Sequence, residues 1–81
     1  MKFSEWKAVT LARLLELRDK YAENAKVVGV IDNLIKKVHA AKTRDLSSLI
    51  FLFYEHRNEV PELTGLLPPR EVLEQFFKDK K

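Results

Sequence analysis

The side chains with chemical potential are few in these 81 residues, and their spacing limits what they can do. The two histidines, His39 and His56, fall on separate helical stretches without the HExxH or other spacing that brings metal ligands together. His39 is expected on the polar side of its helix and His56 near the edge of the next helix's core face. Ser47 and Ser48 open an apolar run and lack the strained turn that activates a nucleophilic serine, so they read as first-turn residues. Gly29 and Gly65 are isolated, which excludes a phosphate-cradling loop, and the absence of cysteine removes disulfides, thiolate chemistry and the commoner zinc sites. The expectation is a non-enzymatic chain with no metal and no cofactor.

Cations offer a second chemistry. Lys36, Lys37, Lys42 and Arg44 cluster where residues 25–45 carry a net charge of +3, while residues 46–67 carry −2 and the whole chain +3. The cluster is a weak candidate for nucleic acid, since it lacks interleaved exposed aromatics and a recognition helix. Lysines at the end of a helix also complement the negative end of its dipole, the simpler reading of the same residues.

The third candidate is the apolar spacing of Arg70-Glu71-Val72-Leu73-Glu74-Gln75-Phe76-Phe77. Leu73, Phe76 and Phe77 stand at i, i+3 and i+4, so one helical turn projects them together, as a helix docking in a groove requires. The segment resembles the PIP box, the Q-x-x-aliphatic-x-x-aromatic-aromatic peptide that docks on PCNA-type sliding clamps. That resemblance implies a replication or repair accessory protein whose partner is a sliding clamp or a polymerase complex, with Leu73, Phe76 and Phe77 as anchors. Arg70 occupies the place of the motif's glutamine. The same spacing also describes an amphipathic helix packed on its own core.

A resemblance to an enzyme is more remote. LLELRDKYAENAKVVG is similar to the long first helix of helical chorismate mutases, and PPREVLEQF to a later helix start in that family. This implies cations converging on a dianion, with Arg18 and Lys26 in two of those positions. The chain departs from the pattern where the family has a lysine after the glycine, having Val30, Ile31 and Asp32 instead, and an entire apolar helix precedes PPREV.

These residues must be positioned by helices. Phe3, Trp6, Leu14, Leu17 and Tyr21, with Leu11 beside them, repeat at helical spacing, predicting helix 1 over about 5–24 with Ser4 as N-cap, Phe3 stapled to its first turns and Trp6 in the core. Val27, Ile31, Leu34, Val38 and Ala41 recur at four, three, four and three, which favours helix 2 over about 26–42 despite the β-branched KVVGVI. No glycine or proline separates the two, so one continuous kinked helix is an alternative. Thr43 and Asp45 are cap candidates for helix 3, about 46–58, which Pro61 ends.

Helix 3 carries the chain's most apolar stretch, LSSLIFLFY. Leu46, Leu49, Ile50 and Phe53 line one face, with Val60 continuing it, and Phe51, Leu52 and Tyr54 spread over the others. A single neighbour cannot cover such a helix, so Phe51 and Tyr54 are read as a surface for a protein partner or for a homodimer. Residues 61–69 read as a proline and glycine loop, 70–78 as a short fourth helix, and Asp79, Lys80 and Lys81 as a fraying end.

The fold expected is all-α: a small three-helix up-down bundle with a short C-terminal helix closing over it or projecting from it. A domain this small buries about 60% of its unfolded surface, which makes association with a partner a natural source of extra stability. One third of the residues are charged and glutamine occurs once, a composition compatible with a thermophilic source. No apolar run reaches membrane-spanning length and MKFSEWK lacks the apolar segment of a signal peptide, so a cytoplasmic, soluble protein without membrane contact is expected. The function this sequence favours is a non-catalytic adaptor or accessory subunit. The alternatives are a homodimeric nucleic-acid-associated protein and, more remotely, the mutase-like enzyme.

Overall fold

Asn24 decides where the first two helices part. Its side-chain Oδ1 accepts from the backbone N–H of Val27 at 3.2 Å, satisfying one of the donors that a helix start leaves free. The computed structural model, which describes residues 2–78, therefore has two helices where one kinked helix was the alternative: α1 at Phe3–Lys20 and α2 at Ala25–Ala40. α1 starts and stops earlier than the sequence suggests. Lys2 is its N-cap residue and provides no side-chain cap, Ser4 lies within the first turn, and residues 21–23 form the turn into α2.

The two helices run antiparallel, as their cross-contacts show. Arg18 meets Asp32 at 3.0 Å near one end, and near the other Lys7 reaches the carbonyl oxygen of Ala41. Between them Trp6, Leu14 and Leu17 face Val27, Ile31, Leu34 and Val38, all buried. Thr10, in register between Trp6 and Leu14, is buried with them. α2 ends at Ala40 because Ala41 turns to extended backbone.

A 3-10 turn at Thr43–Asp45 leads into α3, Leu46–Glu55. Neither Thr43 nor Asp45 caps α3 through its side chain: Asp45 is the N-cap residue but its carboxylate turns back to accept from the backbone N–H of Lys42 at 2.9 Å, closing the 3-10 turn instead. α3 is three residues shorter than its apolar pattern suggests. Pro61 forces Val60 out of the helical region, and the chain tightens into turns in which the N–H of Val60 donates to His56 O at 3.0 Å. This inserts Val60 fully into the core beside Leu46, Leu49 and Phe53.

The stretch expected to be loop contains a 3-10 helix at Pro61–Leu66 with proline in its first turn. It lies along α1. Glu62 bonds Lys20 and Tyr21 at the end of α1, Leu63 is buried, and Leu66 accepts from the indole N–H of Trp6 at 3.1 Å. α4, Arg70–Lys78, then folds back over the start of α1. Phe76 is 1% exposed and packs edge-on against Phe3, with ring centroids 5.6 Å apart, and at a tilt against Trp6. The expected fraying of Asp79, Lys80 and Lys81 lies outside the described residues.

The architecture is a small all-α bundle, with no strand among the described residues. It measures 42 × 20 × 16 Å, between one and two helix diameters in each short direction. A body that thin gives each helix one buried and one outer face. An apolar outer face is therefore left uncovered.

Candidate functional site

That situation arises on α3. Leu46, Leu49 and Phe53 turn inward, and a second stripe, Ser47, Ile50, Phe51 and Tyr54, turns away at i, i+3, i+4 and i+7. Phe51 is 69% exposed and Tyr54 54% exposed, while Ile50 is half-buried between the ridge and the core. With Glu55 and Arg57 these residues line an open apolar groove of about 390 Å³.

Arg57 forms one wall of the groove. Its guanidinium carbon lies 4.4 Å from the centre of the Tyr54 ring, and its Nη1 donates to the Tyr54 carbonyl oxygen at 2.7 Å. The aromatic face and the cation thus hold each other, so Tyr54 has less rotamer freedom to lose on contact. The outward placement of Phe51 and Tyr54 was expected from the sequence, whereas Ile50, expected on the core face, lies half-buried at its edge and lines the groove with Ser47. The part played by Arg57 was not expected, because it lies beyond the helix end and reaches back through the turn.

The other candidate residues are placed apart from this groove. In α4, Leu73 is half-buried and Phe76 fully buried against α1, and Arg70 is exposed with its guanidinium 3.6 Å from Glu74. Phe77 lies in the same helix, and its side chain is outside the described residues. In this arrangement Phe76 is already occupied by the core.

Lys36 and Lys37 are exposed on α2 and line a wider groove of about 510 Å³ with Asn33, Asp45 and Ser48. Lys42 and Arg44 are exposed in the connection to α3. Asp45 sits among these cations, which moderates the positive field an anion would meet.

Arg18 is engaged by Asp32, and Lys26 is exposed in the first turn of α2. The pairing neutralises one of the two cations that the mutase resemblance would assign to a dianion. His39 is exposed, and the half-buried His56 has its Nδ1 2.9 Å from Glu59. Among the described residues no three of His, Cys, Asp or Glu gather closely enough to hold a metal ion, and no helix is long and apolar enough to cross a membrane. No protein-family model matches the chain, and no curated protein or solved structure matches it either.

Proposed function

We propose that this chain is a non-catalytic helical interaction module, an adaptor or accessory protein that works by docking the outer ridge of α3 on another protein surface. One observation carries the reading: Phe51 and Tyr54 stand exposed, side by side, on a helix whose opposite face is the core. Exposing large aromatics to water is unfavourable, and contiguous apolar patches on small proteins mark contact surfaces. Aromatic residues next to a positioned arginine are also the side chains that contribute most at the centres of interfaces.

The test compares capture of proteins by the wild-type chain and by a Phe51→Ser/Tyr54→Ser variant. The expected result is a partner retained by the first and lost by the second, with similar melting of both because the substituted side chains are exposed. Capture that is indifferent to these two residues overturns the reading.

A further inference from the structure

We propose that the groove between the C-terminal half of α2 and the start of α3 is a binding site for an organic phosphate of nucleotide size. It is separate from the apolar groove on the outer ridge of α3: Ser48 and Leu49 line the first, whereas Ser47, Ile50 and Phe51 line the second. The site is therefore independent of the docking reading and goes beyond it.

Two cations serve the phosphate end. Lys36 and Lys37 reach the lining from adjacent positions of α2. Lysines near the end of a helix ordinarily serve its free carbonyls, but in α2 the carbonyl oxygens of His39 and Ala41 already accept from the ammonium of Lys7. Among the described residues neither Lys36 nor Lys37 takes part in an ion pair, so two like charges share one concave surface. An anionic group bound between them accepts charge-assisted hydrogen bonds from both. Lys42 follows Ala41 and Arg44 precedes Asp45, both of which are on the lining, and these two cations add positive field at longer range.

Asp45 opposes them. Its carboxylate accepts from the backbone N–H of Lys42 at 2.9 Å, so it is tied to the chain rather than to either lysine. Its charge weakens the site without neutralising Lys36 or Lys37 by direct contact.

The remaining lining sets the class of ligand. Ala41 and Leu49 are buried, which makes this part of the groove the edge of the core and suits it to an organic group rather than a hydrated ion. Asn33 and Ser48 are exposed on the same lining, and an amide and a hydroxyl each donate and accept. A ribose and a base use such groups, and an alkyl chain does not. The groove volume of about 510 Å³ falls within the roughly 300–1,000 Å³ of small-molecule sites.

NMR titration of the isotope-labelled full chain at low salt tests this. AMP is expected to shift the backbone amides of residues 33–37 and 45–49 with half-saturation at about 1 mM, in keeping with an open groove. Adenosine, which lacks the phosphate, and inorganic phosphate, which leaves the apolar lining uncovered, should each bind at least about tenfold more weakly. Lys36→Gln/Lys37→Gln should weaken AMP binding by at least about tenfold through the loss of charge-assisted hydrogen bonds, with unchanged melting because both side chains are exposed. Asp45→Asn keeps an acceptor for the Lys42 N–H, removes the opposing charge and should tighten AMP binding about threefold.

A short single-stranded oligonucleotide distinguishes the two sources of the group. Binding tighter than that of AMP and falling steeply with salt identifies a nucleic-acid strand, and binding equal to or weaker than that of AMP identifies the free nucleotide. No shift with AMP or the oligonucleotide up to about 10 mM overturns the proposal. So does adenosine or inorganic phosphate matching AMP, or AMP binding that is indifferent to Lys36→Gln/Lys37→Gln and to Asp45→Asn.

Discussion

The ammonium of Lys7, on α1, lies 2.8 Å from the carbonyl oxygen of Ala41 and 3.0 Å from that of His39, so the end of α2 is capped by a side chain from the neighbouring helix. The last carbonyls of a helix have no intrahelical partner, and a cation among them is favoured by the helix dipole as well as by hydrogen bonding. The same ammonium is 5.7 Å from the centre of the Phe3 ring, which ties it to the aromatic cluster on which α4 sits.

Lys7→Met keeps the apolar stem of the side chain and removes these bonds. It is expected to cost about 1 kcal/mol, since the site is only partly buried. Thermal unfolding should show a midpoint lower by about 5 °C. An unchanged midpoint would mean that water replaces the lysine without loss.

The heart of the α1–α2 seam gives a contrast within one helix. Leu34 is completely buried and Lys37, three residues on, is exposed. Leu34→Ala is expected to cost about 2–5 kcal/mol through the cavity it leaves, and Lys37→Ala less than about 0.5 kcal/mol. Denaturant titration of the two variants checks the orientation of α2, and equal effects would contradict it.

Acid should act on the contact between the 3-10 helix Pro61–Leu66 and the end of α1. The ammonium of Lys20 bonds the Glu62 carboxylate and, ahead of Glu62's own backbone and the Tyr21 hydroxyl, holds its carboxyl below the ordinary value of 4.5. A carboxyl whose value falls on folding stabilises the fold above its unfolded value and loses that contribution as pH falls through the folded one. The contribution is therefore whole at neutral pH and fades below about pH 4.5. The bond to Glu62 likewise raises Lys20 and Tyr21 above their ordinary 10.5 and 10.0, so their contributions are present below those values and are lost in alkali as pH rises through the folded ones. Glu62→Gln should melt slightly below wild type at pH 7, the difference being small because the groups are well solvated, and the two curves should converge under strong acid. A gap that stays constant from neutral to acidic pH would contradict this role.

These contacts show which parts of the fold could be read from sequence. The helical identity of all four main segments follows from apolar spacing, a local property, and so does the double-faced character of α3. Thr10 escaped because its polar side chain hid a core position within the stripe of Trp6 and Leu14. Residues 61–66 escaped because proline and glycine suggest a loop, although Leu63 and Leu66 there keep the spacing of one 3-10 turn. Lys7 over Ala41 and Trp6 with Leu66 join residues 34 and 60 positions apart, and no local pattern announces them. The exposure of Phe51 and Tyr54 was legible because two large aromatics exceeded what one core face can take. Whether α4 packs or projects was not legible, since Leu73 and Phe76 have the same spacing in either case. Phe3 and Trp6, some 70 positions away, supply the seat that decides it.

That seat turns the clamp-peptide resemblance of Arg70–Phe77 into a measurable competition. A groove in another protein can take Phe76 only if α4 first leaves α1, and the cost of undocking lowers the apparent affinity by the fraction of molecules in which α4 is free. Phe76→Ala is expected to cost about 3–5 kcal/mol, a large share of the stability of a domain this size, and deletion of residues 70–81 at least as much. Trp6→Ala separates packing from docking, because it removes part of the seat and leaves every residue of the motif in place. If the motif binds a sliding clamp, this variant should bind tighter than wild type while melting lower. Calorimetric titration of both proteins against a PCNA-type clamp measures the first and thermal unfolding the second. No clamp binding by either protein, together with a large drop in melting for Phe76→Ala, would assign Leu73 and Phe76 to the core alone.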